Sequence, residues 1–418
     1  MPSPLQPIHI GVLPVNESVT TIAELFYAAV EHDLPDALAV KKDGRYVPIS
    51  SRELNASVER LALAMYDRGL RPGSNVALLA ENGPEWAMTD YACAISGLPT
   101  ATIYSTLIAP QAAFILNNSR SRWVFCSDLA QLDKVLEQWA NLPNLELAVL
   151  IEGQVPEAEG HTILSWSQLM EEGMAQEARR PLVHQWGIER KPDDLLTIIY
   201  TSGTTGDPKG AMLSHGNIVS NVHATLNVSP VRAKDRCLSF LPLTHIFERM
   251  AGHYVMLHMG ASIYYAESVA AMTQNLLEVR PTVLCSVPRI YEKIFAKVMD
   301  SVAGSGWPKH QLFHWAYRVG QQVVPLLYEG KEPTGWLGFR FALAKSLVFS
   351  KIKARTGGQI RFAVSGGAPL MPKVMEFFWA IGLPILEGYG LTETSPVITA
   401  NRLGMVGPGT VGNALYDT

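Results

Sequence analysis

Cysteine is scarce. Four residues in 418, at Cys93, Cys126, Cys237 and Cys285, lie far apart with no C-x-x-C pair. A disulfide framework is excluded and a cysteine zinc centre has no support, so buried thiols in a reducing compartment are expected. Positive charge is not in surplus either. Lys+Arg 34 against Asp+Glu 38 leaves a net charge of -4, and no nucleic-acid partner is expected. No apolar run reaches the roughly 20 residues of a membrane span. The longest candidate, 241–265, is broken by Glu248, Arg249 and several histidines. The first residues lack a basic segment leading into an apolar core, so no signal peptide is expected and a soluble cytoplasmic protein is the working class.

Familiar catalytic signatures are absent as well. No G-x-S-x-G elbow supports a serine hydrolase. His245, His253 and His258 are not at H-E-x-x-H spacing. The run Gly407-Pro-Gly-Thr-Val-Gly412 matches G-x-G-x-x-G by letter. It has no apolar strand before it and no acidic residue about 20 positions on, so a dinucleotide fold is rejected.

What is present is core-forming sequence. Hydrophobic residues make up 48% and charged residues 17%, which excludes a disordered chain. At about 150 residues per domain, two to three domains or subdomains are expected. Asp43-Gly44 between two apolar segments predicts a hairpin over 37–49, with its turn at 41–44. Ser50 and Glu53 form a capping box, and Leu54, Val58, Leu61 and Met65 share one helical face ending at Gly69. Apolar strands are expected at 76–80, 123–126 and 145–151, with helices after Pro84 and over 129–139 and 166–172. Continuous apolar strands alternating with helices indicate an α/β fold with mainly parallel sheets. A polar stretch, 152–191, reads as a connector, which divides the chain into α/β subdomains at 1–190 and 191–418. Further strands are expected at 195–201, 236–240, 262–265, 283–286, 360–364 and 384–387. Residues 301–338 read as a loop-rich insertion. The basic, amphipathic stretch 339–355 reads as a surface helix with a solvated basic face; the alternative is contact with an anionic membrane surface.

Three glycine-rich segments carry chemistry. In Tyr200-Thr-Ser-Gly-Thr-Thr-Gly-Asp-Pro-Lys-Gly210 a strand runs into four hydroxyl residues, three glycines and a lysine. Backbone N–H groups, hydroxyls and Lys209 together suit a polyphosphate, and a helix from about His215 would add its dipole. Pro208 before Lys209 and Gly210 after it rule out a Walker A loop. Ser365-Gly-Gly-Ala-Pro369 follows another strand, at the end where open α/β sheets bind ligands. Leu386-Glu-Gly-Tyr-Gly-Leu-Thr-Glu-Thr394 offers a ring between glycines, then a hydroxyl and a carboxylate that could hold Mg²⁺. His245, in Leu241-Pro-Leu-Thr-His245, reads by itself as a packed histidine.

Together YTSGTTGDPKG, SGGAP and GYGLTET resemble the adenylate-forming, AMP-binding superfamily in order and spacing, over nearly the whole chain. SFLPLTHIFERM, SVPRIYEKI and GYGLTETSPV, with the insertion at 301–338, resemble its long-chain fatty acid–CoA ligase branch. The resemblance implies a large domain of two α/β subdomains plus a small β-rich one. It also implies a two-step reaction: a carboxylate attacks the α-phosphate of Mg-ATP, then CoA thiol attacks the acyl-adenylate. Carried onto this sequence, Thr201, Ser202, Gly203, Thr204, Thr205, Gly206 and Lys209 would hold the terminal phosphates. Thr201 and Glu393 would bind Mg²⁺ and Thr392 the α-phosphate. Gly366, Gly367, Ala368, Pro369, Glu387, Gly388, Tyr389 and Gly390 would form the adenine pocket, and His245 would stand near the acid's carboxylate. ATP, a fatty acid and CoA are the implied partners, and a homodimer is a further expectation. The family's downstream Gly-Asp, hinge and lid domain with its lysine are not found before residue 418, so a chain without its C-terminal lid domain is expected. Two rival readings remain: a nucleotide- or acyl-binding module without turnover, and an adenylate-former for another carboxylic acid.

Overall fold

Asp43 and Gly44 both take positive φ, 49° and 77°. They close a two-residue turn in which Lys42 faces Arg45 across the strands Leu38–Lys42 and Arg45–Ile49. The Asp-Gly signal is where the sequence places it. Pairing extends through Lys41 and Lys42, which belong to the strand. The helix Ser51–Asp67 follows, closed by the reciprocal bonds of Ser50 and Glu53 and burying Leu54, Val58, Leu61 and Met65. The structure is a computed structural model and describes residues 18–201 and 206–416.

Two sheets organise these residues. The first runs Ile163–Ser165, Leu147–Leu150, Trp123–Cys126, Val76–Leu79, Thr100–Ile103, Leu195–Thr201, Lys209–Ser214. It is parallel except for the last pair, which is antiparallel. The second runs Asn413–Ala414, Val397–Ala400, Ile385–Gly390, Phe362–Ser365, Val283–Ser286, Arg236–Ser239, Ser262–Tyr265, Leu38–Lys42, Arg45–Ile49. Its centre is parallel and its antiparallel strands lie at the two edges. The fold is therefore α/β with mostly parallel sheets. The proposed division at 190 follows chain order, whereas in space the sheets exchange strands. Leu195–Thr201 and Lys209–Ser214 complete the first sheet, and the hairpin near residue 43 completes the edge of the second.

A buried polar knot joins the two halves. Arg249 donates through Nε to Asp90 Oδ2 (3.0 Å) and through Nη1 to Thr197 Oγ1 (2.8 Å). Its Nη2 bonds Thr100 Oγ1 (3.0 Å) and pairs with Asp90 Oδ1. Asp90 comes from the helix Pro84–Ser96, Thr100 and Thr197 from the first sheet, and Arg249 from a wide π-helical turn, Glu248–Tyr254, packed on the second. With every partner present, a planar guanidinium can be held out of water.

Three expectations need correction. The stretch 152–191 is not a bare connector. It holds the strand Ile163–Ser165 and the helices Trp166–Met174 and Arg180–Ile188. Its polar residues face water, while Leu169, Val183 and Gly187 are buried. Residues 301–338 are mostly helical, with Trp307–Tyr328 as a 22-residue helix. Pro308 sits in its first turn, where no N–H is needed, and Pro325 only in its last, so neither proline breaks it. The helix His215–Leu226 starts where expected, but the strand Lys209–Ser214 intervenes. At roughly 3.3 Å per residue this carries the helix N-terminus about 20 Å from the loop, beyond reach of a phosphate there. The basic stretch is a surface helix as expected, with Lys345, Lys351 and Arg355 exposed, and Phe339, Leu343 and Leu347 are exposed as well.

Candidate active site

The strands Leu195–Thr201 and Lys209–Ser214 form a hairpin whose last pair is Thr201 opposite Lys209. A hydroxyl and an ammonium thus stand side by side at the neck of the glycine-rich loop. Gly206, at φ 96°, is exposed on that loop. Ser202, Gly203, Thr204 and Thr205 lie outside the described residues.

A cleft of about 590 Å³ opens at the carboxyl ends of Val283–Ser286, Phe362–Ser365 and Ile385–Gly390. Thr201, Lys209, His245, Gly366, Gly367, Gly388, Tyr389, Gly390, Thr392 and Glu393 all line it. Three motifs, the first more than 150 residues before the other two, thus converge on one space of a size usual for ligand sites. The short turn Thr392–Thr394 lies against Lys209–Ser214, so the carboxylate of Glu393 shares the polar end with Lys209. Beyond it the walls are apolar: Phe247, Ala251, Val255, Phe362, Val364 and Leu386. Cys285 also faces this lobe, its thiol pushed up by the neighbouring Cys237 and by burial.

One glycine is required by contact and a second leaves room for a ring. A Cβ on Gly390 would lie 1.9 Å from the carbonyl oxygen of Pro396, and backbone cannot yield that space. A Cβ on Gly366 would meet the Phe247 ring at 3.1 Å, so the bare backbone there lets the ring form the cleft wall. Tyr389 is 47% exposed, its ring free to lie against a flat ligand.

Some expected residues stand elsewhere. Ala368 and Pro369 are exposed outside the cleft lining. Glu387 is buried behind it, its Oε1 accepting from Leu370 N at 2.9 Å. Burial raises its pKa while that N–H lowers it, so the carboxylate braces the turn after Ser365. His245 stands at the rim, and its Nδ1 accepts from Phe247 N at 3.1 Å. That bond assigns the proton to Nε2, and desolvation holds the ring below the usual imidazole pKa, so His245 is a neutral donor.

Three asparagines escape a reading by motif. Asn82 grips the loop before His245 at both ends of its amide, donating to Leu241 O (2.6 Å) and accepting from Leu243 N (2.8 Å). Asn221 does the same for Val397, at 2.7 and 3.0 Å. Asn401 lines the cleft and ties it to the rejected glycine run, accepting from Gly407 N (2.9 Å) and donating to Thr410 O (2.8 Å). A lone asparagine carries no pattern, whether in a loop like Asn82 and Asn401 or in a helix like Asn221, and its partners lie elsewhere in the chain.

A hydroxyl at Thr201 and one carboxylate at Glu393 suit a hard ion that takes its other ligands from phosphate oxygens and water. Among the described residues no cluster of three or more His, Cys, Asp or Glu is placed to hold a metal.

The chain has relatives among known proteins. Residues 27–418 match the family of AMP-binding enzymes. The chain is 33% identical over 401 residues to the peroxisomal long chain acyl-CoA synthetase 7 of Arabidopsis thaliana, covering 93% of this chain and 55% of that protein. It is 30% identical over 386 residues to the long-chain-fatty-acid–CoA ligase FadD15 of Mycobacterium bovis, covering 91% and 62%. The inhibitor-bound N-terminal domain of FACL13 from Mycobacterium tuberculosis superposes with TM-score 0.68 at 19% identity, covering 95% of this chain and 83% of that one, a likeness of fold. The chain spans about half the length of the first of these relatives, 55%. On the match over 27–418, the chain belongs to the AMP-binding enzyme family.

Proposed function

We propose that this chain carries the nucleotide and acid sites of an AMP-forming ligase that activates a long-chain fatty acid and passes it to CoA. The observation that supports this best is the single cleft with a phosphate-like end at Thr201, Lys209, Thr392 and Glu393 and an apolar lobe at Phe247, Ala251 and Val255. A ligase of this kind must bring an anionic polyphosphate and a hydrocarbon tail within bonding distance, and the cleft offers both surroundings in one space. The relatives' names point to the same substrate class.

In this reading Lys209 and the hydroxyl loop hold the β- and γ-phosphates, and Thr392 orients the α-phosphate. Gly366, Gly367 and Tyr389 take the adenine. Thr201 and Glu393 would hold Mg²⁺ arriving with ATP, which would supply positive charge against the phosphates. His245 donates from Nε2 to the acid's carboxylate at the rim and fixes its approach. The carboxylate oxygen then attacks the α-phosphorus and pyrophosphate leaves. CoA sulfur next attacks the acyl carbon of the adenylate, and AMP leaves. The chain's contribution is positioning and fixed positive charge.

The test is pyrophosphate release from Mg-ATP with acids from acetate to palmitate. Release with long chains, lost in Glu393→Ala, is the expected outcome. Release that is greatest with acetate, or unchanged in Glu393→Ala, contradicts the reading. ATP binding without release from any acid favours the binding module.

A further inference from the structure

The helix Trp307–Tyr328 carries His310 and His314, which its pitch sets one turn apart on the same side. Phe313, Ala316 and Tyr317 bury its inner face, so the backbone under both histidines is anchored. Tyr317 also donates to Glu376 Oε1 on the helix Pro372–Ala380, at 3.2 Å. The two imidazoles flank that packed face and are half-buried. Their Nε2 atoms stand 3.2 Å apart. The ring centroids are 4.3 Å apart and the planes cross at 55°, so the rings are not stacked face to face and their in-plane lone pairs can converge. Phe313 meets the His314 ring edge-on, with centroids 5.6 Å apart, and supports it from behind.

Only one proton fits between two such nitrogens. In the neutral pair one Nε2–H donates to the other Nε2, which is the ordinary use of this spacing. A metal ion can use it equally well. Two nitrogens each about 2.0–2.1 Å from a tetrahedral ion stand roughly 3.3 Å from each other, against 3.2 Å here. The pair is therefore already at the separation that two cis ligands need. Histidines at i and i+4 of one helix are also the pair that an H-E-x-x-H helix presents to zinc. Imidazole suits zinc, nickel and copper, whereas magnesium and calcium take oxygen ligands.

We infer that His310 and His314 form a surface site for a divalent transition ion of the zinc class, bound through both Nε2 atoms. Each ring then carries its proton on Nδ1. Among the described residues no third His, Cys, Asp or Glu joins them in a cluster. Water or a small anion completes the coordination, and the ion exchanges freely with solution. Bound there, it staples the first turns of the helix. The site is separate from the cleft, none of whose lining residues lies on this helix. It stands on the histidine pair alone and does not depend on the ligase reading.

The experiment is calorimetric titration of the chain with Zn²⁺ in a non-chelating buffer, with Mg²⁺ in excess and without nucleotide, repeated for His310→Gln and His314→Gln. Glutamine is a good helix former and stays polar, and it removes the imidazole. Circular dichroism shows that each variant is folded. The unaltered chain is expected to bind Zn²⁺ despite the excess of Mg²⁺. Each variant loses at least about 10-fold in that affinity, since even an outer partner of a metal ligand costs as much. Melting supplies a second readout, because an ion that binds the native state stabilises it. Zn²⁺ should raise the Tm of the unaltered chain more than that of either variant. The same zinc affinity in the unaltered chain and in either variant overturns the inference and leaves the rings sharing a hydrogen bond. Displacement of Zn²⁺ by Mg²⁺, or an equal rise in Tm in all three chains, overturns it as well.

Discussion

Glu248 sits immediately before Arg249, yet it is held quite differently. Its Oε1 accepts from Ser239 Oγ at 2.7 Å, while Oε2 has no partner among the described residues. Burial pushes its pKa up to about 8, against the small lowering by Ser239. The folded state therefore binds this proton more tightly than the unfolded chain does. Its contribution to stability is complete below the ordinary carboxyl range and is lost as pH rises towards about 8. The neighbouring buried histidines run the other way: His253 is pushed down to about 3 and His258 to about 4 by burial, so their contribution is lost on acidification. The comparison that isolates Glu248 is Glu248→Gln. Melting curves from pH 5 to 8 should show the unaltered chain losing ground steadily to the variant as pH rises. A constant difference across that range would show that Glu248 titrates normally. Nothing in the sequence reveals this behaviour, because it depends on which carboxylate the wide turn at 248–254 turns inward.

At the level of elements, local signals are legible in the sequence and pairing signals are not. The Asp43-Gly44 turn, the Ser50/Glu53 box and strands such as Trp123–Cys126, Ser262–Tyr265 and Val283–Ser286 stand where residue patterns place them. Each is fixed by its own backbone preferences or by apolar runs of the right length. The strand Lys209–Ser214 has an exposed, mixed face and exists because Leu195–Thr201 lies beside it. A reading from one segment at a time has no access to that partner. The loop carrying His245 is a similar case, since Asn82 holds it from a distant turn through Leu241 O and Leu243 N. Asn82→Ala removes both bonds and leaves a carbonyl and an N–H to find water. A stability loss of about 1–3 kcal/mol in denaturant unfolding is expected, together with a larger fall in kcat/KM for any acid-activating reaction. Unchanged stability and activity would show that the loop holds itself.

Across the whole molecule, two sheets that exchange strands bring Thr201, Lys209 and residues 366–367 and 388–393 to one cleft. The motifs themselves were legible, because glycine, hydroxyl and acid at strand ends have few other uses. Their convergence, and the apolar lobe contributed by Phe247, Ala251 and Val255 from the wide turn and the residues on either side of it, were not. The account rests on nucleotide and acyl chain sharing that cleft. The measurement that tests it most directly is calorimetric binding of two non-hydrolysable acyl-adenylate mimics, palmitoyl and acetyl. Each buried methylene is worth roughly 0.8 kcal/mol, so even partial burial of the longer chain predicts binding tighter by at least about 100-fold. That advantage should vanish in Ala251→Trp, which fills the lobe. Equal affinity for the two mimics, or an advantage untouched by Ala251→Trp, would contradict the account.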